Sequence, residues 1–522
     1  MLNSSAFVEV SVERDIESIK AHESDFETAI HFAGFGKFQR ALLIITGFIY
    51  ATCAISTTTL SFVLPSAHCD FDLNSADKGK LSAMPLVGML FGCCLWGSLA
   101  DAHGRKITIV LSLLMDFLAG FLSSFDFKLF LICRFFNGFG IIGATSIIFS
   151  YLGEFLSVKD RDRLLSRLEI FWTIGTIILP GVAWAFLGQK SDDIMIYSDD
   201  SSQWRIFVLI CSLPSACSVV LLCFLPETPK FLITKRRFDN AIVVFQKIYA
   251  CNTGNNMKRY PVQSLEIEDN NNKLMEECDN STSQRTFKKT VNEIHQLIKS
   301  LSNHQYLKYL GITCFADFGL MASYYTLVMW FPEIFKRFNE QEESGKINNI
   351  TGLCSISHAN KFDDTESECN PFIDRKVFLE TLFISLSCIP TSVSLSFFVS
   401  KLGKKIILVY SLFISGLMAM ALNWVGNTVQ ILALSCLFEA LTSVLETVLF
   451  CVIVDFFPTN LRAFSLTITA TFGRFGAIFG NLIFGILLDL NCIVPVYLFG
   501  LLLICSGAMC LAIPRNENYI VL

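Results

Sequence analysis

Charged residues are scarce in this sequence, and their scarcity excludes an ordinary water-facing globular protein. Only 17% of the 522 residues are Asp, Glu, Lys or Arg, whereas soluble domains carry roughly 25%. Hydrophobic residues make up 52% of the chain, with 49 Phe. They come in runs of about 20 residues, which is long enough to cross a hydrocarbon core about 30 Å thick. The runs therefore predict membrane-spanning segments.

The marks of several other protein classes are also missing. The sequence has no Gly-Lys-Ser/Thr phosphate-binding loop, which argues against an ATP-driven pump. It has no nucleophile motif and no zinc-like cysteine spacing, so we expect neither an enzyme nor a resident cofactor or metal. Residues 1–38 are acidic, where a secretory signal needs basic residues followed by an apolar run. We therefore expect no signal peptide.

Twelve hydrophobic runs follow one another along the chain, and we expect all of them to be helices because every backbone polar group in lipid needs an internal partner. Their predicted bounds are 41–64, 80–99, 107–124, 129–152, 164–187, 205–225, 306–331, 376–399, 404–424, 428–454, 462–487 and 492–513. The chain then divides into an N-terminal cytoplasmic segment 1–40, a six-helix bundle 41–225 and a central cytoplasmic loop 226–305 with a short helix and a disordered stretch. A second six-helix bundle follows at 306–513 and contains an extracytoplasmic loop 333–375. A cytoplasmic tail covers 514–522.

The short loops differ in charge on the two sides of this predicted bundle. On one side they are basic, with Arg105, Lys106, Arg163, Lys404 and Lys405. On the other side they lean acidic. Basic loops face the cytoplasm in most membrane proteins, so we expect both termini to be cytoplasmic.

The two sets of six runs resemble copies of one unit. Residues 104–106 follow the second run, and residues 403–405 follow the eighth at an offset of 299. An acid and an arginine spaced by seven close the fourth and the tenth runs at an offset of 301: Glu154 with Arg161, and Asp455 with Arg462. Such a duplication is typical of transporters in which two halves rock about a central site.

Several segments also carry a family resemblance. Residues 97–106 resemble the loop signature of the major facilitator superfamily, and 134–140 and 226–230 resemble its sugar-porter and organic-ion branches. A narrower likeness to the synaptic vesicle glycoprotein group is carried by 34–39, 62–67 and 323–332. The resemblance covers about 34–514. It implies an all-α membrane protein with twelve transmembrane helices in two pseudo-symmetric six-helix bundles.

The same resemblance implies a gating role for charges at the cytoplasmic helix ends. Asp101, Arg105 and Glu154 would form pairs that latch the halves in the outward-open state and break on inward opening. The alternative is that they only anchor helices. Ser400 stands where the second copy would carry its acid, so the second latch is predicted to be weaker or absent. The gating set also includes Arg161, Asp455, Arg462 and Arg134, and the last of these is equally well explained as structural.

Charges deep inside the runs predict a solute site, because each costs roughly 3 kcal/mol at mid-bilayer and faces a cavity or a partner. At about 1.5 Å per residue, Asp317 lies about 16 Å deep, Glu446 about 13 Å and Arg474 about 18 Å. Glu439 precedes Glu446 by seven residues and shares its helix face. Arg474 also resembles the eleventh-helix arginine of organic-anion relatives, which implies contact with a substrate carboxylate. The alternative is that Arg474 only neutralises Asp317 or Glu446.

Aromatic residues and coupling groups complete the predicted site. Trp172 and Tyr324 are candidates for stacking on a solute, although aromatic residues also serve as packing. The vesicle-glycoprotein group carries acids in its first helix at positions that hold Cys53 and Ser56 here. Coupling to a proton or cation would then depend on Asp317, Glu439 or Glu446, and facilitated diffusion is equally allowed.

The predicted loop 333–375 carries extracytoplasmic features. Asn349 begins a glycosylation sequon. Cys354 and Cys369 are candidates for a disulfide, with Cys69 as a rival partner.

Two functions remain open at this point. The first is an alternating-access secondary transporter or facilitator of a small organic solute, with an organic ion expected. The second is a transport-inactive, transporter-like membrane protein that acts in vesicle trafficking or in ligand or partner binding. Either would reside in the plasma membrane or in a secretory or synaptic-type vesicle. The C-terminal Ile520-Val521-Leu522 fits a PDZ-type scaffold groove, and no nucleic-acid partner is expected.

Overall fold

A computed structural model describes residues 26–71, 73–124, 127–188, 203–265, 304–343, 373–425, 427–491 and 493–513, and these residues are almost entirely helical. The first half contains α1 (Phe26–Ala33), α2 (Lys37–Thr58), α3 (Leu60–Ser66), α4 (His68–Phe71), α5 (Ser75–His103), α6 (Arg105–Leu122), α7 (Phe127–Gly153), α8 (Val158–Leu187) and α9 (Gln203–Cys223). The central segment forms α10 (Pro229–Thr234), α11 (Phe238–Thr253) and a 3₁₀ turn, Met257–Arg259.

The second half contains α12 (His304–Glu343), α13 (Arg375–Leu402), α14 (Lys404–Ala421), a 3₁₀ turn (Leu422–Trp424), α15 (Thr428–Thr442), α16 (Leu445–Phe456), α17 (Thr459–Asn491) and α18 (Ile493–Leu511). Ten spans in the described part of the chain are long and apolar enough to cross a membrane, and α5, bent by 41° between Cys93 and Leu95, is an eleventh. The 18-residue helix α6 packs against α7 and α9 and occupies the place of the remaining predicted span. The predicted all-α membrane fold is confirmed.

Two spans each consist of two consecutive helices. The first is α2 with α3, which meet at Thr59, and Pro65 inside α3 has no backbone N–H to donate. The other is α15 with α16, which are separated by Ser443 and Val444. That break lies between Glu439 and Glu446, so the two acids belong to separate helices rather than to one continuous face.

The seventh span is longer than the sequence indicates. The helix α12 continues to Glu343, past residue 333, where the sequence predicts the start of a loop. Polar residues in this extension are bound by the first half: Glu333 pairs with Lys78, and Lys336 donates to the Pro65 carbonyl. Those partners stabilise helical residues whose polarity is otherwise typical of a loop.

The duplication predicted from the sequence appears in the structure as a repeated lysine contact. The Lys106 ammonium donates to the carbonyl oxygens of Cys223 at 3.0 Å and Leu225 at 2.6 Å, at the end of α9. The Lys405 ammonium donates to the Leu511 carbonyl at 2.9 Å, at the end of α18. In each half a lysine of the third span thus binds the carboxyl end of the sixth, where the helix dipole favours a cation.

We call the face that carries Arg105, Lys106, Lys404 and Lys405 the basic face, and the other the opposite face. The central segment packs on the basic face of the first half. Tyr260 donates to the Ala29 carbonyl in α1 at 2.6 Å, and Asn252 of α11 donates to the Gly34 carbonyl at 2.7 Å. The short helix predicted within the central segment is present as α11.

Candidate functional site

Three deep charges of the second half lie together at the centre of the bundle. Asp317 on α12, Glu446 in the first turn of α16 and Arg474 on α17 interact through their charges. Asp317 is 0% exposed, and neither of its carboxylate oxygens has a hydrogen-bond partner among the described residues. A buried carboxylate without hydrogen-bond donors is costly, so Arg474 is its main source of stabilisation there.

Glycine residues bring α17 close enough to α12 to form this group. A Cβ atom added to Gly476 would overlap the backbone carbonyl of Phe318, and one added to Gly473 would overlap the carboxylate of Asp317. Small residues allow such close helix contacts inside membranes. The sequence 471–476 therefore positions Arg474 on a helix that nearly touches the backbone beside Asp317.

The first half contributes Tyr50 and Glu169 to the same place. The Tyr50 hydroxyl donates to Glu169 Oε2 at 3.3 Å, and the Tyr50 ring lies 5.2 Å from the ring of Trp172. The charges of Glu169 and Glu446 interact across the interface between the halves. Tyr50 also lies within electrostatic range of Glu446 and Tyr325. We call Tyr50, Glu169, Asp317, Tyr325, Glu446 and Arg474 the central cluster.

Glu169 and Tyr50 do not appear among the sequence-predicted site residues. Glu169 lies in the predicted run 164–187, so the cost of a charge inside a membrane span was a signal for it. The signal was weak because Glu169 follows Arg163 and Arg167 closely and resembles the end of a charged loop.

Glu439 and Tyr324 lie in a neighbouring cavity between the halves. Tyr324 and Glu439 both line this cavity, and the Tyr324 ring lies 5.3 Å from that of Tyr325 in the central cluster. The cavity has a volume of about 50 Å³, enough for a few water molecules. Its lining comes from both halves and includes Thr58, Ser61, Phe62, Thr176, Tyr324 and Glu439.

At the opposite face an ion pair joins the halves. Lys78 Nζ of α5 lies 2.6 Å from Glu333 Oε1 of α12, and the two side chains are only 2% and 4% exposed. The Arg337 guanidinium donates to the same Glu333 oxygen at 2.8 Å. One carboxylate of the second half thus binds a cation from each half.

Further contacts join the two halves near this ion pair. Ser75 Oγ of the first half donates to Asp489 Oδ1 at 2.6 Å and accepts from Arg337 at 3.1 Å. The rings of Phe62 and Phe378 stack at 5.8 Å across the interface. We call Ser75, Lys78, Glu333, Arg337 and Asp489 the opposite-face network. No sequence pattern points directly to this network, because Lys78 lies just before a predicted run and Glu333 lies in a predicted loop.

At the basic face the first predicted latch lies within one half. Arg105 contacts Glu154 at 3.2 Å and the exposed Asp101 at 3.1 Å. Glu227 accepts the backbone N–H groups of Arg105 and Lys106 at 3.1 and 3.2 Å, which caps the start of α6. These contacts tie α5, α6 and α7 to the central segment.

The second predicted latch is present as a simpler contact. Lys404 Nζ lies 2.7 Å from Asp455 Oδ2, and both side chains are about one-third exposed. An ion pair is therefore present in the second half, where Lys404 occupies the position of Arg105. Its exposure and single acid limit its strength. Arg462 does not join it in the described contacts, and its Nε is buried without a hydrogen-bond partner there.

Two other predicted gating residues lie apart from these pairs. Arg161 donates to the Gly153 carbonyl at 3.3 Å at the end of α7. Arg134 is buried, donates to Ser123 Oγ at 2.7 Å and lies over the Phe130 ring. Asn349, Cys354 and Cys369 lie outside the described residues, and Cys69 is disulfide-bonded.

The two faces differ in how their ion pairs connect the halves. Between described residues, the basic-face pairs of Arg105 and Lys404 each stay within one half. The Lys78 pair at the opposite face crosses between the halves. Glu169 is exposed and Arg474 is partly exposed, whereas Lys78 and Glu333 at the opposite face are almost fully buried.

Comparisons with known proteins agree with this architecture. The model of the family Sugar (and other) transporter matches residues 39–347. Among curated relatives, synaptic vesicle glycoprotein 2C of Mus musculus is 26% identical, with 98% of this chain and 84% of the relative covered. Synaptic vesicle glycoprotein 2B of Homo sapiens is 25% identical, with 96% and 87% covered.

Solved structures show the same fold. The inward-open xylose transporter XylE of E. coli superposes with a TM-score of 0.66 at 14% identity, over 92% of this chain and 98% of XylE. A partially occluded inward-open form of XylE gives a TM-score of 0.63 at 13% identity, over 92% of this chain and 100% of XylE. The chain belongs to the Sugar (and other) transporter family of the major facilitator superfamily and is an integral membrane transporter protein.

Proposed function

We propose that this protein moves a small organic ion across its membrane by alternating access, and that the ion binds in the central cluster. The observation that carries the proposal is the charge interaction between Glu169 of the first half and Glu446 of the second, in the same cluster as Asp317 and Arg474. Charged groups at mid-membrane depth are costly and normally serve a transported solute or a coupled ion. A site shared by two halves also changes its access when they rock.

The opposite-face network supplies the closed gate of this proposed cycle. Lys78 and Glu333 must separate before the opposite face opens, because their pair crosses between the halves. In the proposed cycle the Arg105 and Lys404 pairs keep the basic-face loops of each half in place while the halves rock. Coupling to a proton or cation would use Asp317, Glu439 or Glu446.

We also propose that the basic face is cytoplasmic. The loops on this face are rich in Lys and Arg, which follows the rule for short cytoplasmic loops. The relatives are named synaptic vesicle glycoproteins, and this supports a vesicle membrane over the plasma membrane. Their name also favours a second candidate function, in which the protein binds a vesicle partner without transporting a solute.

Uptake into proteoliposomes tests the first function against the second. The full chain would be reconstituted and supplied in turn with radiolabelled organic cations, organic anions and sugars. We expect saturable uptake of one class that is lost in Arg474→Ala and kept in Asp239→Asn, a substitution in the exposed first turn of α11. If folded protein accumulates none of the three classes but captures a vesicle protein, the second function replaces the first.

A further inference from the structure

The central cluster contains more acidic than basic side chains. Glu169, Asp317 and Glu446 are three carboxylates, and Arg474 is the one cation that interacts with this group among the described residues. The nearby acid Glu439 is linked to the cluster through Tyr324 and Tyr325. Ionised, the three carboxylates leave an excess of two negative charges around a single guanidinium.

Arg474 is already engaged within its own half. Its charge interacts with both Asp317 and Glu446, and the preceding residue, Gly473, packs against the Asp317 carboxylate. An anionic solute at Arg474 would have to approach these two carboxylates. Like charges in a site of low dielectric constant repel strongly, so the surroundings of Arg474 oppose an anion.

Glu169 is the carboxylate that is free to receive a ligand. Its side chain is exposed, and its one described hydrogen bond comes from the neutral Tyr50 hydroxyl at 3.3 Å. The charge that acts on it is that of Glu446, which has the same sign. A cation placed between Glu169 and Glu446 would relieve this repulsion and would contact both halves at once.

Aromatic rings surround the same point. The Tyr50 ring lies 5.1 Å from Phe149 and 5.2 Å from Trp172, and Tyr325 approaches Tyr50 from the second half. Faces of Trp and Tyr rings attract organic cations within about 6 Å. Carboxylates beside partly exposed aromatic rings are the chemistry that recognises an organic ammonium or pyridinium group.

We propose that the central cluster is a site for a monovalent organic cation, with Glu169 and Glu446 holding its charge from the two halves and Tyr50 and Trp172 contacting its apolar part. This rests on the proposed transport function and names its substrate class. It assigns Arg474 to the neutralisation of Asp317 rather than to a solute carboxylate.

Direct binding measurements test the substrate class separately from transport. The full chain in lipid nanodiscs would be offered three radiolabelled probes of similar size: 1-methyl-4-phenylpyridinium, benzoate and xylose. We expect saturable binding of the pyridinium cation alone. Replacing Glu169 with Gln or Glu446 with Gln should raise its Kd at least about ten-fold, because each removes one attractive carboxylate.

Two further variants separate the binding role from a folding role. Glu169→Asp keeps the charge and should bind the cation within a few-fold of the unmodified protein, whereas Asp239→Asn should bind it unchanged. Melting temperatures in detergent would establish that the weakened variants are folded.

The inference fails if benzoate binds saturably and its binding is lost in Arg474→Gln, or if xylose alone binds. In those cases uptake of the bound probe into proteoliposomes would still uphold the transport function. If the cation binds with an unchanged Kd in both glutamine variants, its site lies elsewhere and the assignment to the central cluster is wrong.

Discussion

Lys78 of the first half and Glu333 of the second lie 2.6 Å apart at the opposite face, and both are almost fully buried. Because Arg337 also binds Glu333 at 2.8 Å, the three groups are not equivalent. Loss of Glu333 leaves the buried Lys78 and the partly exposed Arg337 without their shared carboxylate, whereas loss of Lys78 leaves Glu333 still paired. The glutamate is therefore the group on which the closed gate depends.

We predict that Glu333→Gln destabilises the protein more than Lys78→Met. Removing one partner of a buried ion pair costs about 3–5 kcal/mol, and only Glu333→Gln removes the partner of two cations. Melting temperatures in detergent would measure both, and the double variant Lys78→Met with Glu333→Gln should be more stable than Glu333→Gln alone. Equal losses from the two single variants would contradict this description of the network.

The opposite face should also respond to pH through His68 in α4. Burial and the nearby cations of Lys78, Lys336 and Arg337 lower the pKa of His68, and Glu333 opposes them only in part. A histidine with a lowered pKa stabilises the folded closed face above its ordinary pKa of about 6.5, and this stability is lost as the pH falls below that value. We predict that the melting temperature falls between about pH 7 and pH 5 and that His68→Gln flattens this part of the profile. An unchanged slope in the variant would remove His68 as the cause.

Close contact between α12 and α17 should make Gly476 intolerant of a side chain. A Cβ atom there would overlap the Phe318 backbone, whereas one at Gly181 in α8 meets no atom within 4 Å. Overpacking a close contact costs about 1–3 kcal/mol. We expect Gly476→Ala to lower the melting temperature and solute binding together, and Gly181→Ala to change neither. A fully stable Gly476→Ala variant would show that the two helices separate easily.

The two lysines of the second-half loop should differ in their effects on stability. Lys405 binds the end of α18, whereas Lys404 forms a one-third-exposed pair with Asp455. A hydrogen bond from a charged group is worth about 1.5–3 kcal/mol, and an exposed ion pair about 0–1 kcal/mol. We predict that Lys405→Met lowers the melting temperature clearly and that Lys404→Met barely does. The reverse order would mean that the Lys404–Asp455 pair is the stronger contact.

Much of the fold follows from the sequence because membrane spans are long and uniformly apolar. The depth of Asp317, Glu446 and Arg474 could be counted along their helices, and the structure brings these three residues together. The break between Glu439 and Glu446 could not be read in this way, since no proline or glycine marks it.

Contacts between the halves are the part that the sequence does not reveal. Lys78 and Glu333 are 255 residues apart in the sequence. They meet only because the two halves contact each other at the opposite face. Glu169 is close to loop charges in sequence, yet it faces the centre of the bundle. Both relationships depend on the relative orientation of the two halves, which local patterns do not encode.

Lys106 in the first half and Lys405 in the second each bind the third span of their unit to the end of its sixth span. Each six-helix unit is thereby closed into a ring. A closed ring resists shear among its own helices. Relative motion is then concentrated at the interface between the two units, which contains the central cluster and the opposite-face network. The two halves should then move as rigid bodies about the interface between them. Substitutions inside one half should change the stability of the protein. Substitutions at the interface should change the proposed transport cycle.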